Sequence, residues 1–385
     1  MTKPLDGLKI LDFTTLLPGP YATLLMADLG ADVVRVESPT RDDLVRNMAP
    51  HIHGQSAAFR YLNRGKRSIT LDLKHPNAKA LVLRLVKGYD VVVEQFRAGV
   101  MQRLGLGYEE LCTAKPDLIF CSITGYGQDG DYAWKAGHDI NFLALSGVAS
   151  HMGRVEQGPC PLGVQVADQA AGSHPAVIGI LSAVIRRERT GKGACLDISM
   201  ADNSFALQAL MAPGALNGCD PDGYETHFLN GGGFYDYYRT RDHRYVSVGS
   251  LEPQFKQKLL QALGAEHLVE LDDASLKEAL KHCFAQENLS TWQQRFANVD
   301  ACVEPVLDIA EAARHPAFTS RGLIQKHPDG EVQITSAIRF QHEPSLQSSQ
   351  TTTAPLRGAD TTSVLFAAGF SPDDIERLRS EGVFG

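Results

Sequence analysis

The sequence predicts an α/β protein in which a large domain with a mostly parallel sheet is joined to a smaller α+β domain. Apolar runs typical of buried strands alternate with helical patterns as far as about residue 125, which is the pattern of an open parallel sheet. Residues 213–233 are then rich in Gly, Asn, Asp and Pro, as expected of a linker. A chain of 385 residues is long enough for two domains.

The first strand–helix–strand unit lies at the start of the chain. Residues 8–13 predict a strand, and the turn after them leads to Pro20, which suits a first helical position. Gly30 ends the predicted helix, and residues 32–37 form the next strand. Two strands joined by a helix within about 30 residues predict a parallel pair with a crossover. The unit lacks the Gly-x-Gly-x-x-Gly pattern of dinucleotide-binding proteins.

The same alternation continues along the chain, although residues 40–62 show no clean period and are predicted to be irregular. The further elements predicted for this domain are strands at 69–73, 90–94 and 118–123, a helix from Pro76 and a helix at 108–113. Ligands of such sheets bind beyond the carboxyl ends of the strands. The loops after residues 13, 37, 94 and 123 are therefore the predicted rim of a binding site.

The second half of the chain has a different pattern. Its predicted elements are a strand at 194–199, a helix at 201–212, a hairpin of 235–240 with 245–249, and helices beginning near 253 and spanning 274–284, 290–298 and 372–380. We therefore divide the chain into four parts. Residues 1–212 form the first part of the large domain, and residues 213–233 form a linker with a mobile glycine-rich loop. Residues 234–325 form the small domain, and residues 326–385 form a C-terminal segment that contains a polar Ser/Gln/Thr run at 345–353.

The composition is that of an ordinary globular protein with a small-molecule substrate. The chain has 37 Lys and Arg against 45 Asp and Glu, a formal net charge of −8, which argues against a nucleic-acid or anionic-membrane partner. No apolar run reaches the ~18 residues that a membrane span needs, and the first residues contain no apolar signal core. Seven scattered cysteines without a Cys-x-x-Cys pair predict neither disulfides nor a zinc site, so we expect a cytoplasmic protein.

Asp168 is the first candidate for chemistry. It precedes a small-residue segment and an apolar run at 177–185, so it is predicted to stand at or near a helix N-terminus. There the helix dipole favours the ionised carboxylate, which can act as a base or a nucleophile. An ordinary N-cap is the alternative. His138, which directly precedes Asp139, is the second candidate, and a structural hydrogen-bonded pair is its alternative.

Several longer motifs occur in a fixed order over roughly residues 5–325. They are Leu-x-Pro-Gly-Pro, Asp-Leu-Gly-Ala-Asp-Val-Val-Arg-Val-Glu, Asn-Arg-Gly-Lys-Arg-Ser-Ile-Thr-Leu-Asp-Leu-Lys, Gly-His-Asp-Ile-Asn, Ala-Asp before the long helix, Thr-Gly-Lys-Gly, Gly-x-x-Glu-Pro-Gln-Phe and Asp-Ala-Cys-Val-x-Pro-Val. With these motifs the chain resembles the family III CoA-transferase superfamily, the CaiB/BaiF type, and within it the α-methylacyl-CoA racemase-like subgroup.

The resemblance implies a Rossmann-like large domain completed by residues 326–385, a small domain, and an interlocked homodimer. It implies an acyl-CoA thioester as substrate, with coenzyme A bound at the large domain and no separate cofactor. The glycine-rich loop at 230–233 resembles the loop that closes over the site of the transferases, and a plain flexible linker is the alternative.

The resemblance also implies roles for individual residues. Racemases of the family use a histidine, an aspartate and a glutamate, which correspond to His138, Asp168 and Glu252, whereas transferases need only the aspartate. Arg97 corresponds to an arginine placed to meet coenzyme phosphates, and Ser38 stands where some racemases have another. The residues predicted to bind the coenzyme are Leu16, Leu17, Pro18, Lys66, Arg97, Gly125 and Gly137.

Two chemistries fit these residues. Racemisation needs a base on each face of the α-carbon, His138 and Asp168, with Glu252 holding the imidazole. Transfer would instead proceed through an aspartyl-CoA thioester at Asp168. We favour a 2-methylacyl-CoA racemase because both His138 and Glu252 are present. The competing class is an acyl-CoA-binding module without turnover, while a metal hydrolase is disfavoured because no cluster has ligand spacing.

Structural alternatives remain for two further residues. Glu252 directly precedes Pro253 and could be a favourable charge in the first turn of a helix. Lys66 and its neighbour Arg67 could form a solvated charged face.

Overall fold

A computed structural model of the protein describes residues 3–326, 330–343 and 352–385. The chain divides into two units, which comprise residues 1–146, 162–207 and 320–385 in the first and residues 147–161 and 208–319 in the second. The domain boundaries expected at residues 212, 233 and 325 stay a prediction.

A six-stranded sheet forms the centre of the first unit. Its strands are β1 (Lys9–Asp12), β2 (Asp32–Glu37), β3 (Arg67–Thr70), β4 (Val91–Glu94), β5 (Ile119–Thr124) and β6 (Ala194–Ser199). They lie side by side in the order β6-β5-β4-β1-β2-β3, and every neighbouring pair is parallel. Strands β4 and β5 are buried along their whole length, as expected of a sheet covered on both faces. The predicted α/β fold with a mostly parallel sheet is confirmed.

Helices connect these strands and follow them. They are α1 (Pro18–Asp28), α2 (Ala57–Asn63), α3 (Ala78–Leu85), α4 (Val100–Arg103), α5 (Tyr108–Ala114), α6 (Asp139–Leu145), α7 (Val166–Asp168), α8 (His174–Thr190) and α9 (Met200–Ala206). No helix in the described part of the chain is long and apolar enough to cross a membrane.

One helical run extends from α7 into α8 through an insertion of π-helix. The π segment spans Gln169–Ser173, and α8 ends at Thr190 and is capped by Gly191, whose φ of 69° lies in the left-handed region that glycine adopts readily. The Ser173 Oγ lies 3.1 Å from the carbonyl oxygen of Asp168, five residues earlier. Short π segments within helices are frequent at functional sites, and this one directly follows Asp168.

The second unit is built on a small antiparallel sheet. Its strands β7 (Asp236–Arg239), β8 (Tyr245–Val248) and β9 (Val303–Pro305) lie in that order. Its helices are α10 (Ala212–Leu216), α11 (Pro253–Leu263), α12 (Asp273–Phe284), α13 (Leu289–Phe296), α14 (Ile309–Arg314) and α15 (Pro316–Thr319). The aromatic rings of Tyr238, Phe284 and Trp292 pack together in its core. The predicted hairpin and the helices that follow it are confirmed.

The C-terminal segment contains an antiparallel pair, β10 (Ile324–Lys326) with β11 (Val332–Ile334), and the helices α16 (Thr361–Ala367) and α17 (Pro372–Ser380). Leu378 and Val383 are buried in the same apolar cluster as Leu11 and Val92, so the end of the chain completes the core beside the parallel sheet. Most of the predicted polar run at 345–353 lies outside the described residues.

Several local predictions are wrong. The first helix begins at Pro18 rather than Pro20, the helix expected from Pro76 begins at Ala78, the strand expected at 69–73 spans Arg67–Thr70, and the helix expected at 201–212 ends at residue 206. The last residues of the segment 40–62, expected to be irregular, belong to α2. Its buried residues include Arg60 and Asn63, which form polar contacts inside the protein, so its inner face lacks the apolar period that identifies a helix in sequence.

Candidate active site

The strand order of the first unit reverses between β1 and β4. From β1 the chain continues to β2 and β3 on one side, and then crosses to β4, β5 and β6 on the other. Ligands of open parallel sheets bind in the crevice at the carboxyl ends of the strands where the order reverses. The loops that leave these two strands contain the predicted residues Leu16, Leu17 and Pro18 after β1, and Arg97 after β4.

These two loops contact each other. The backbone N–H of Gly19 donates to Oε1 of Gln95 at 2.9 Å, which supplies an acceptor to the start of α1. Position 19 has to be glycine, since a Cβ there would lie 2.3 Å from the Thr14 side chain. Pro18 is buried and Arg97 is exposed, so the two loops combine an apolar turn with a surface cation. The structure thus brings together the loops that contain the predicted residues 16–18 and Arg97.

Asp168 lies in the first turn of the helical run that begins at Val166, as predicted. Its backbone N–H donates to Oδ1 of Asp139 at 3.0 Å. N–H groups at the start of a helix have no acceptor within that helix, so Asp139, in the first turn of α6, supplies the acceptor for this N–H of α7. The same run contacts the β1 loop, because the Ser173 hydroxyl donates to the carbonyl of Pro18 at 2.6 Å. Asp168 therefore belongs to the helix that packs against the predicted coenzyme-binding turn.

The electrostatics of Asp168 are unusual for an aspartate. Burial raises the pKa of its carboxyl to about 7, and the neighbouring charge of Asp139 raises it further in the same direction. Within the described residues no lysine or arginine forms an ion pair with Asp168. The helix start favours the ionised carboxylate and would lower its pKa, but the effect of burial is larger. A carboxyl that titrates near neutrality can both accept a proton and return it.

His138 directly precedes α6 and is exposed. Its backbone N–H donates to Oδ1 of Asn141 at 3.0 Å, which fixes the start of that helix. Asp139 follows His138 in the chain and contacts Asp168 in space, so His138 and Asp168 lie at adjoining helix starts. The sequence prediction gave Asp139 no role, and the only signal for it was its position next to His138.

Gly125 and Gly137 both pack against the ring of Phe142. A Cβ would lie 2.5 Å from the ring at Gly125 and 2.6 Å from it at Gly137. The ring of Tyr126 meets Phe142 edge-on, with centroids 5.2 Å apart. This packing is sufficient reason for both glycines, and their contact with the coenzyme stays a prediction.

Lys66 is buried rather than exposed. Its Nζ donates to the carbonyl of Pro20 at 2.9 Å and to Oδ1 of Asn63 at 3.1 Å, and it lies 3.6 Å from the carboxylate of Asp12. Burial lowers the pKa of Lys66 to about 7. The alternative of a solvated face is wrong for this residue. Its predicted contact with the coenzyme stays a prediction, while its described partners are internal groups around the turn after β1.

Glu252 lies in the second unit, at the residue before α11. Its side chain is exposed, and its carbonyl accepts from the backbone N–H groups of Phe255 and Lys256 at 2.9 Å. A carboxylate at this place favours the helix start, as the structural alternative supposes. Its predicted contact with the imidazole of His138 stays a prediction.

The glycine-rich loop at 230–233 is held by contacts within the second unit. Lys277 donates its Nζ to the carbonyl of Gly231 at 2.6 Å, and the backbone N–H of Gly232 donates to the carbonyl of His227 at 2.9 Å. A Cβ at Gly232 would lie 2.7 Å from that carbonyl. Close backbone packing therefore requires glycine at position 232, whether or not the loop moves.

Glu94 is a second acidic group that the sequence prediction did not single out. It ends β4 at the reversal of strand order, and burial raises the pKa of its carboxyl to about 7. Its carboxylate accepts from the backbone N–H of Phe96 at 2.7 Å, in the turn that leads to Arg97. The signal in the sequence was an acidic residue at the end of a wholly apolar strand. The described residues contain no group of three or more His, Cys, Asp or Glu that could hold a metal ion.

Comparison with known proteins adds to this geometry. The model of CoA-transferase family III matches residues 5–361. Alpha-methylacyl-CoA racemase of Homo sapiens is 36% identical over 388 residues, which cover 98% of this chain and 97% of that protein. Acetyl-CoA:oxalate CoA-transferase of Acetobacter aceti is 35% identical over 343 residues, which cover 84% and 86%. The crystal structure of a CaiB/BaiF family protein from Brucella suis covers 96% of this chain and all of its own, with a TM-score of 0.81 and 30% identity.

Proposed function

Because the chain belongs to CoA-transferase family III, as its motifs predict, we propose that it is an acyl-CoA enzyme and that its main activity is the racemisation of 2-methylacyl-CoA thioesters. The relatives described above are enzymes, which disfavours a binding module without turnover. The observation that supports the proposal most is the setting of Asp168. This carboxyl titrates near pH 7 and lies at a helix start that adjoins His138.

In the proposed reaction two groups act on opposite faces of the carbon beside the thioester carbonyl. The ionised Asp168 removes the α-proton from one face, and the protonated imidazole of His138 delivers a proton to the other. In the reverse direction the roles exchange. The raised pKa of Asp168 suits this exchange, because a carboxyl with an ordinary pKa would be a weaker base and would rarely hold a proton at neutral pH. Glu252 would orient the imidazole and favour its charged form.

Removal of the α-proton places negative charge on the thioester oxygen. Backbone N–H groups in the first turn of the run that begins at Val166 can stabilise that charge, since they lack partners within their own helix. The N–H of Asp168 is already taken by Asp139 and that of Gln169 by the carbonyl of Gln165, so this role falls to the amides of Val166 and Ala167.

The coenzyme part of the substrate would lie at the reversal of strand order. Arg97, which is exposed there, would meet the phosphates, and Leu16, Leu17 and Pro18 would line the apolar wall. Gly125 and Gly137 would allow the backbone to approach the thioester. Proton removal and return need only acids and bases, so the proposal includes no separate cofactor.

CoA transfer is the second candidate, because transferases are also among the relatives. In that reaction the Asp168 carboxylate attacks the thioester carbonyl to form a mixed anhydride and release the thiolate of coenzyme A, which then attacks the aspartyl carbonyl to give an aspartyl-CoA thioester and release the donor acid as its carboxylate. The incoming carboxylate would repeat these two steps in reverse order, so that it leaves as the new acyl-CoA and the Asp168 carboxylate is restored. The loop at 230–233 would exclude water from these intermediates.

Incubation with one epimer of a 2-methylacyl-CoA in deuterated water tests the proposal. Racemisation places deuterium on the α-carbon and yields both epimers, which mass spectrometry and chiral separation of the released acids detect. The same protein is incubated with an acyl-CoA and a series of free carboxylic acids. An absence of α-exchange, together with movement of CoA to one of the acids, would establish the second candidate instead.

A cytoplasmic homodimer belongs to the same proposal. All seven cysteines are free thiols, which suits a reducing compartment. Helices α6, α8 and α9 leave large apolar side chains exposed, including Ile140, Ile178, Ile185 and Phe205. Apolar surface of this kind supports association with a second copy. Sedimentation equilibrium should give twice the chain mass of 41.9 kDa, and the chain mass alone would contradict the dimer.

A further inference from the structure

The turn between β1 and α1 holds an unusual backbone conformation. Leu16 has a φ of 63°, in the left-handed region that residues with a Cβ rarely adopt. It is not a turn glycine, and its side chain is half-buried. Such a conformation persists only where surrounding contacts impose it, and it is most often found at functional sites.

Asp43 supplies the contact that imposes this conformation. Its Oδ1 accepts from the backbone N–H of Leu16 at 3.2 Å and from that of Val45 at 3.1 Å. Asp43 is buried, although it lies 27 residues beyond Leu16 in the chain and outside the sheet. An ionised carboxylate that accepts backbone N–H groups makes a stronger hydrogen bond than a neutral acceptor. The loop after β2 therefore holds the loop after β1 in place through the hydrogen bond from Leu16 to Asp43.

Buried charges fix Asp43 in its turn. The guanidinium of Arg35, which is fully buried on β2, forms an ion pair with Asp43 and donates to Oδ1 of Asn63 at 2.7 Å. The same amide oxygen accepts from Lys66 at 3.1 Å, which in turn donates to Pro20 at 2.9 Å. The chain of contacts thus begins at Leu16 and ends at Pro20, on the two sides of the turn.

A further carboxylate holds the near end of the turn. Asp12, at the end of β1, accepts from the backbone N–H of Thr14 at 2.8 Å and from the hydroxyl of Thr23 at 2.6 Å. Lys66 lies 3.6 Å from it. The turn is therefore held on both sides by ionised groups withdrawn from water, an arrangement that is costly unless each charge is paired. Apolar packing would hold an ordinary surface turn without these charges.

We propose that Asp43 is a positioning residue for coenzyme A binding, which holds Leu16 in its left-handed conformation and so presents residues 16–18 to the coenzyme. The inference rests on the proposed function, because it assumes that an acyl-CoA binds at this turn. It concerns the binding step rather than proton transfer, since Asp43 belongs to the β1 side of the crevice and has no described contact with Asp168 or His138.

Titration of the protein with free coenzyme A, followed by calorimetry, tests this role. Replacement of the carboxylate in Asp43→Asn should weaken binding by at least about tenfold, since residues 16–18 would relax to a negative φ at Leu16. KM for a 2-methylacyl-CoA should rise in parallel, with kcat changed by less than about threefold. Asp42→Asn is the matched control, because Asp42 is the neighbouring carboxylate but is exposed and pairs with Arg357.

A double-mutant cycle separates positioning from a general structural role. Glycine adopts a positive φ without help, so Leu16→Gly should make the hydrogen bond to Asp43 largely unnecessary. In that background Asp43→Asn should weaken coenzyme binding by no more than about threefold. Equal effects in both backgrounds would show that Asp43 does not act through Leu16, which overturns the proposal.

The other outcomes are equally decisive. Unchanged coenzyme affinity in a folded Asp43→Asn protein overturns the inference and leaves the proposed function standing. A folded wild-type protein that does not bind coenzyme A overturns both. If Asp43→Asn fails to fold, Asp43→Glu decides, because it keeps the charge beside Arg35 and displaces the carboxylate from Leu16. Its affinity should fall by at least about threefold, and unchanged affinity contradicts the proposal.

Discussion

Glu37 and Asp168 are acidic side chains of the same unit, and both are largely withdrawn from water, yet their pKa values shift in opposite directions. Burial raises the pKa of each. At Glu37 the hydrogen bonds from Arg46, at 2.8 and 2.6 Å, and the charge of Arg35 outweigh burial and lower the pKa. At Asp168 burial is the larger cause and the charge of the neighbouring Asp139 adds to it, so the pKa rises to about 7.

The difference shows what separates a structural carboxylate from a reactive one in this fold. Both occupy elements that the sequence predicts, and burial raises the pKa of each. The sign of the neighbouring charge distinguishes them: cations keep Glu37 ionised and hold it in place, whereas a like charge adds to burial and leaves Asp168 able to exchange a proton near neutral pH.

The strongest test of the comparison removes the reactive carboxylate. Asp168→Ala should lower the rate of racemisation by at least about 10³-fold, because one of the two bases is lost. Any CoA transfer should disappear with it, since the same oxygen would be the nucleophile. Chiral analysis of the product acids measures the first effect. Asp373→Ala, which removes an exposed carboxylate from the first turn of α17, is the control, and full activity of Asp168→Ala would refute the assignment.

The next largest effect is expected at His138. In His138→Ala the protein should lose inversion by about 10²-fold or more, yet Asp168 should still exchange the α-proton of the epimer that faces it. Deuterium would then enter one epimer without appearance of the other. His282→Ala, at an exposed histidine of α12, should behave as wild type. Continued inversion in His138→Ala would show that another group is the second base.

At the structural carboxylate the effect should appear in stability. Glu37→Gln leaves the buried Arg35 and the half-buried Arg46 beside a neutral group, so the free energy of unfolding at pH 7 should fall by about 3 kcal/mol. Since the pKa of Glu37 is lowered in the folded protein, its contribution is present above the unfolded pKa near 4.5 and is lost as pH falls through the folded value. Urea unfolding at pH 7 and pH 4 measures this, and a difference that grows toward acid pH would contradict it.

The reactive carboxylate should show the opposite dependence. The folded pKa of Asp168 is raised, so wild-type stability falls as pH rises from about 4 through about 7. Asp168→Asn avoids the buried charge and should be more stable than wild type by about 1–2 kcal/mol at pH 8, with little difference in stability at pH 4. The figure at pH 8 is smaller than the full pKa shift implies, because the side chain is partly exposed to solvent. Thermal unfolding across this range measures it, and a destabilised variant at pH 8 would count against an unpaired carboxylate.

The smallest expected effect concerns Asp139. Asp139→Asn removes the like charge, so the pKa of Asp168 should fall. The acid limb of the pH profile for the direction in which Asp168 is the base should therefore move to lower pH. Rates of deuterium entry between pH 4 and 9 define the limb. A limb that stays in place would mean that burial alone sets the pKa of Asp168.

Much of the fold could be predicted because its signals are local. Strands β1, β2 and β6 were predicted to within a residue or two, since they are apolar runs bounded by turns. Helix α2 could not be predicted, because its inner face contains Arg60 and Asn63, whose partners come from distant parts of the chain. The π segment after Asp168 consists of small residues that give no periodic signal.

The candidate site shows the same difference between features with a local signal in the sequence and features that depend on distant residues. Asp168, His138 and the turn at 16–18 were predicted from motifs, which are local. The contacts that give them their properties are not local: Asp139 and Asp168 are 29 residues apart, and Leu16 and Asp43 are 27 apart. Lys66 illustrates the limit, since a lysine beside an arginine gives no indication in sequence that it is buried against Asn63.

The most direct test of the central claim is a titration of the Asp168 carboxyl itself. Aspartate labelled with ¹³C at the carboxyl carbon is incorporated into the protein, and the Asp168 resonance is assigned by its loss in Asp168→Asn. The account predicts a midpoint near pH 7, with a shift to lower pH in Asp139→Asn. A midpoint near the ordinary aspartate value of about 4 in the folded wild-type protein would contradict it.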